Sequence, residues 1–141
     1  MLHALLIGTL MIIALLAVSI AIFAVAARML RWLDETHAFG YARLPLAYDL
    51  GIAAMWILFA LTCSVWGWAL LYMALGLFDS LEPAIYFAIA TFTTVGYGDI
   101  VLGTDWRLLA GMTAAHGLLT FGLFTAFLVE TFNFPTRHRR G

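Results

Sequence analysis

Three long apolar stretches, at about 2 to 27, 50 to 77 and 106 to 129, alternate with shorter polar segments along the chain. As helices, each is long enough to cross a hydrocarbon layer, which takes roughly 20 residues at ~1.5 Å each. A fourth apolar run is shorter. Ser80-Leu81-Glu82-Pro83 offers an N-cap residue and a proline for the first turn, and predicts a helix running to Thr93. At roughly 12 residues and ~18 Å it is too short to span. A half-length helix followed by irregular, glycine-containing backbone is tolerated in a membrane only where protein or water surrounds it, so the segment reads as re-entrant. The predicted class is an all-α membrane protein with three transmembrane helices plus a re-entrant helix and loop.

Composition agrees with that class. Of 141 residues, 65% are hydrophobic and 11% charged, well outside ordinary soluble domains. The net charge of -1 gives no reason to expect nucleic acid as a partner; the expected partners are the lipid bilayer and further copies of the chain. Arg28, Arg31 and Arg43 lie between the first two spans and Arg137, Arg139 and Arg140 after the third, leaving only Arg107 elsewhere. The positive-inside rule then places the linker and the C-terminus in the cytoplasm of a multi-pass cell (inner) membrane protein. The N-terminus, the re-entrant loop, Asp79, Glu82, Asp99 and Asp105 fall outside. Trp32, Tyr41 and Tyr48 mark the inner boundary, and Trp66, Trp68, Tyr72 and Trp106 the outer one. Ala24-Val25-Ala26 resembles a signal-peptidase site, but the run before it lacks a positive start and exceeds a signal core, which favours a retained helix. Cys63, the single cysteine, forms no intrachain disulfide.

The chemistry is concentrated in Thr93-Thr94-Val95-Gly96-Tyr97-Gly98-Asp99, directly after the short helix. Thr94 to Gly98 reads TVGYG, the pentapeptide known from K+ channels, where four loops offer carbonyl oxygens in place of the ion's hydration shell; that mechanism comes with the motif. One loop per chain requires several copies around an axis, hence a homotetramer in which each chain meets three identical subunits. The expected K+ ligands are the carbonyls of Thr94, Val95, Gly96 and Tyr97 and the Thr94 hydroxyl, with the Val95 and Tyr97 side chains turned away. Gly96 and Gly98 permit the positive φ that carbonyls facing one axis demand. The helix ending near Thr93 directs its partial negative charge at the same cavity, and Asp99 is expected to accept a hydrogen bond from Tyr86.

Over about residues 47 to 134 the chain resembles the potassium channels of the two-helix pore type, especially the short bacterial ones. The residues that carry the likeness are Thr93 to Asp99 and Thr120-Phe121-Gly122-Leu123-Phe124-Thr125-Ala126. The resemblance implies a fourfold pore with an outer helix (47–77), a pore helix (81–93), a filter (94–98) and an inner helix (105–133) gated at its cytoplasmic end. Residues 1–33 then form an additional N-terminal transmembrane helix, 34–46 a cytoplasmic linker and 135–141 a cytoplasmic tail. The family's hinge glycine falls on Gly117. Two positions depart from it: Leu102 stands where a proline is common, and Ala90 where some members pair a carboxylate with the filter aspartate.

Leu118, Phe121, Gly122, Thr125, Val129 and Asn133 recur at three- and four-residue steps and are assigned to the pore-lining face, with Phe121 and Val129 as apolar gate rings and Thr125 narrowing the path. Ordinary helix packing is the alternative for any of them. Gly117 is either a bending point or a close-packing point. Glu130 either concentrates cations at the entrance or pairs with Arg28, Arg31 or Arg43. His116, ionisable and inside the span, is either pH-sensitive or a neutral interhelical hydrogen-bonding group. The first helix lacks the arginine ladder of a voltage sensor. The leading function is passive, selective K+ conduction, with K+ as the permeant ion, no cofactor and no enzymatic turnover. The alternatives are a non-conducting or regulatory subunit that retains the pore fold, and a subunit of an active uptake system, which usually carries four such loops in one chain.

Overall fold

The computed structural model describes the backbone of residues 2–37 and 46–137 and the side chains of residues 2–29, 32 and 50–129. The side chains of Arg31, Arg43, Tyr41, Tyr48, Glu130, Asn133 and the terminal arginines therefore lie outside the described residues, as does the linker over 38–45. The described residues form four helices, α1 (Leu2–His37), α2 (Leu46–Ala74), α3 (Leu81–Phe92) and α4 (Arg107–Arg137), and no strand. Leu2–Met29, Leu50–Ala74 and Arg107–Val129 are each long and apolar enough to cross a membrane. The 12 residues of α3 are not.

Local chemistry sets the boundaries. The outer helix stops at Ala74, short of the expected 77, because Gly76 adopts φ 68 and closes the end. Leu77 N–H donates to Tyr72 O and Gly76 N–H to Met73 O, both at 3.0 Å, the paired bonds of a Schellman cap. α1 continues to His37, four residues into the stretch read as linker, since neither glycine nor proline interrupts it before Gly40. α4 starts at Arg107, two residues later than expected, after a turn in which the N–H groups of Trp106 and Arg107 both donate to Gly103 O. Its backbone stays helical through Pro135, beyond the expected end at 133.

α3 is held between α2 and α4 by an aromatic core. Trp68 and Tyr72 of α2, Phe87 and Phe92 of α3 and Leu109 of α4 are all buried, and Leu15 of α1 joins them. The Tyr72 ring meets Phe87 edge-on at 5.3 Å and Phe78 at 6.0 Å. Among the described residues, α1 packs against α2 and α4 and makes no contact with α3. Its lower half docks through Phe23, which stacks on Phe127 at 4.8 Å and meets Phe124 edge-on at 5.4 Å. Hydroxyls inside this apolar interior mostly bond to their own helix: Ser64 to Ala60 O, Thr113 to Leu109 O and Thr120 to His116 O. The packing thus fixes the end of α3, from which the TVGYG loop hangs.

Candidate functional site

The site begins where α3 runs out of helical partners. Thr93, its C-cap, donates its N–H to Ile89 O at 3.0 Å and its hydroxyl to the same oxygen at 2.7 Å. Thr94 N–H then donates to Thr91 O and Gly96 N–H to Ala90 O, each at 3.0 Å, so the loop's amides fold back on the helix. Three residues of the loop have positive φ: Thr94 at 62°, Gly96 at 52° and Gly98 at 78°. Val95 and Tyr97, between them, do not.

Left- and right-handed residues in alternation turn successive peptide groups the same way, gathering N–H groups on one edge and carbonyls on the other. The amides of Thr94 and Gly96 are the ones bonded back to the end of α3. Glycine accepts this backbone without cost at 96 and 98. Thr94 does not, because a β-branched residue at positive φ is strained by about 1–3 kcal/mol. The bonds from Thr94 N–H and Gly96 N–H to the helix end hold it there. In the single chain the Val95 and Tyr97 side chains are 53% and 74% exposed.

Beyond the loop, Tyr86 Oη donates to Asp99 Oδ2 at 2.6 Å, tying the far side of TVGYG to the middle of α3. That bond, with help from the N–H groups of Asp99 and Ile100, holds the Asp99 carboxyl below its ordinary range. The same bond pushes the Tyr86 phenol up, since losing its proton would place two negative charges side by side.

Gly117 is where α4 touches the helix end. A Cβ built there would lie 1.8 Å from the carbonyl oxygen of Phe92. With a carbon–carbon bond of ~1.5 Å, its Cα sits at most about 3.3 Å from that oxygen, within the range of a Cα–H···O contact. That approach is a close-packing contact, within an uninterrupted helix.

Leu118, Phe121, Gly122, Thr125 and Val129 share the exposed face of α4. Phe121 is the least exposed of the large residues there, its ring reaching Phe92 at 6.1 Å and Phe124 at 5.8 Å. Asn133 and both readings of Glu130 fall outside the described side chains. His116 lies on the opposite face, fully buried, and accepts a hydrogen bond at Nδ1 from Trp68 Nε1 at 2.9 Å. A second buried link joins Tyr72 Oη and Thr113 Oγ1 at 2.5 Å. Sequence reasoning had placed Trp68 and Tyr72 only as interfacial aromatics. The available signal was their four-residue spacing opposite Thr113 and His116, polar residues inside an otherwise apolar span.

Comparison with known proteins follows this geometry. The sequence profile described as Ion channel matches residues 54–133, from within α2 through α3 and the loop into α4. The chain belongs to the ion channel family. Among similar proteins, potassium voltage-gated channel subfamily A member 2 of Oncorhynchus mykiss is 36% identical over 58 residues, 40% of this channel chain and 12% of that protein. Subfamily A member 6 of Homo sapiens is 36% identical over 59 residues, 41% and 11% of the two chains. Potassium voltage-gated channel protein shk-1 of Caenorhabditis elegans is 39% identical over 56 residues, 39% and 10%. The matched part of this ion channel chain spans about a tenth of the length of those relatives. No solved structure matches it. α1 lies wholly outside the family match.

Proposed function

We propose that this ion channel chain is one of four identical subunits of a K+-selective pore, of the two-helix type known from short bacterial channels, with α1 added. The observation that carries the reading is the positive φ at every second residue, Thr94, Gly96 and Gly98, with the Thr94 and Gly96 amides folded onto α3. It supports the carbonyls of Thr94, Val95, Gly96 and Tyr97, with the Thr94 hydroxyl, as oxygens that replace the water around a dehydrated ion. The relatives named as potassium channels support K+ as that ion. One loop per chain supports the fourfold assembly. The exposed Val95 and Tyr97 side chains supply apolar surface for neighbouring subunits to cover.

Residues 47–134 form the pore domain on this reading, with α3 as pore helix and α4 as inner helix. The exposed face from Leu118 to Val129 lines the cavity, and the cytoplasmic end of α4 is the gate. K+ is the cargo and moves passively down its gradient. The arginine distribution supports an outside N-terminus and a cytoplasmic C-terminus.

Purified protein in liposomes tests the proposal directly. K+ and Rb+ flux with strong exclusion of Na+, from an assembly of fourfold mass, is the expected result. Equal passage of Na+ and K+, or an assembly that is not fourfold, overturns it. A fourfold assembly with no flux of any of the three ions favours the non-conducting subunit.

A further inference from the structure

The buried hydrogen bond between Trp68 and His116 fixes more than a contact. An indole N–H is a donor with no acceptor capacity, so the Nδ1 it meets at 2.9 Å must present a lone pair. The imidazole is then neutral, with its proton on Nε2. Protonating Nδ1 would set one N–H against another. Nε2 itself is buried and has no hydrogen-bond partner among the described residues.

The second link has a defined direction too. Thr113 Oγ1 donates its one hydrogen to Leu109 O, so Tyr72 must be the donor in the Tyr72–Thr113 bond. Trp68 and Tyr72 are four residues apart on α2, and Thr113 and His116 three apart on α4, which makes the two bonds successive rungs between the same helices. Between described residues, these are the side-chain hydrogen bonds that join spanning helices. Both lie on the N-terminal side of Gly117. Past that glycine, α4 is held to α1 and α2 through apolar and aromatic contacts such as Phe23, Ala60 and Phe124.

The His116 ring also bears on the site. It meets the Phe92 ring edge-on at 5.3 Å, and Phe92 is the fully buried last residue of α3, whose carbonyl rests on Gly117. The Trp68 ring lies behind the imidazole with centroids 6.1 Å apart. The end of α3 is therefore backed by a side chain whose orientation is set from α2.

We propose that Trp68 and His116 form a neutral hydrogen-bonded strut between α2 and α4, and that His116 is a positioning residue which, through Phe92, holds the end of α3 and the TVGYG loop in register for selectivity. The inference rests on the K+ conduction reading above and names a determinant of its specificity. Because the acceptor nitrogen is already occupied, the structure assigns this histidine a holding role in preference to a pH-sensing one.

Two measurements test it, one of which does not involve flux. Nitrogen NMR of the histidine-labelled protein in lipid, with the His116 signal identified by its loss in His116→Asn, reads the tautomer. The proposal expects a neutral ring protonated at Nε2 near neutral pH; a charged ring or an Nδ1–H tautomer overturns it. In liposomes, Trp68→Phe keeps most of the ring volume but removes the donor, and His116→Leu removes the acceptor. Each should raise Na+ leak relative to K+ several-fold while the protein still assembles. The double variant should leak no more than the worse single one, because both changes break one interaction. His116→Asn, whose Oδ1 can take the indole N–H, should recover most of the selectivity lost in His116→Leu. Additive leaks, or unchanged selectivity in assembled Trp68→Phe, overturn the strut. If a variant does not assemble, the wild-type tautomer still decides. Absence of K+ flux from wild type would refute conduction and leave the tautomer result standing by itself.

Discussion

Gly117→Ala is the sharpest perturbation available in this structure. The new methyl carbon would sit 1.8 Å from the Phe92 carbonyl oxygen and 2.8 Å from its carbonyl carbon. Ordinary carbon–oxygen contact begins at about 3.3 Å, so α4 and the end of α3 would have to separate by roughly 1.5 Å. Neither side is a flexible side chain. One is helix backbone and the other is the last carbonyl of α3, whose next residues enter the loop at once. Inserting a methylene-sized group into a packed interior typically costs about 1–3 kcal/mol, and this backbone clash belongs at or above the upper end of that range. The expected outcome is loss of the assembled, thermally stable oligomer, or survival of the oligomer with its K+ over Na+ preference gone. Gly111→Ala is the control on the same helix, since a Cβ there meets nothing within 4 Å in the chain. Thermal unfolding and size-exclusion profiles in detergent, followed by liposome flux, separate the outcomes. Should Gly117→Ala assemble, melt and select ions like the wild type while altering only the fraction of time the pore is open, the close-packing argument fails and Gly117 acts as a bending point.

Gly96→Ala and Gly98→Ala each place a Cβ on left-handed backbone, and either should abolish K+ flux while leaving helix content by circular dichroism unchanged. Tyr86→Phe removes the bond to Asp99, whose carboxyl is held below its ordinary range. A lowered folded-state pKa contributes stability that is full above the unfolded value and is lost as pH falls through the folded one. Wild-type flux should thus persist well into acid, and Tyr86→Phe should move its acid limit upward toward the usual carboxylate range. At the alkaline end Tyr86 has the opposite sign: its raised value keeps the bond intact below the ordinary phenol range and loses it only as pH climbs through the folded value. Phe23→Ala empties a buried site against Phe124 and Phe127 and should destabilise the fold by about 3–5 kcal/mol, read as a lowered midpoint in detergent unfolding.

How much of this was legible in the sequence depends on the range of the interaction that set each feature. The three spans and the short helix after Ser80 follow from apolar run length, although Ser80 makes no side-chain capping bond and the helix ends at Phe92, one residue before the expected Thr93. Gly96 and Gly98 were legible as positive-φ positions because the residue type itself announces the backbone it permits. Thr94 was not, since a β-branched residue argues against left-handed backbone; what imposes it is the pull of Thr91 O and Ala90 O on the amides beside it. The end of α2 was overrun by three residues because Gly76 sits in an apolar run and was not read as a cap.

The same distinction explains Gly117 and His116, where sequence reasoning stopped at two alternatives each. A glycine inside a membrane helix fits bending and close packing equally well until the neighbouring backbone is known, and that neighbour, Phe92, is 25 residues away in sequence. A histidine inside a span fits titration and hydrogen bonding equally well until the partner at each nitrogen is known. The partner at Nδ1 is Trp68, 48 residues away, a donor that cannot accept. Both residues converge on Phe92. A change at Trp68 and a change at Gly117 therefore disturb the same helix end, and combining Trp68→Phe with Gly117→Ala should give a selectivity loss that departs from the sum of the two, whereas a sum that holds within error would show that the two supports act on different parts of the loop.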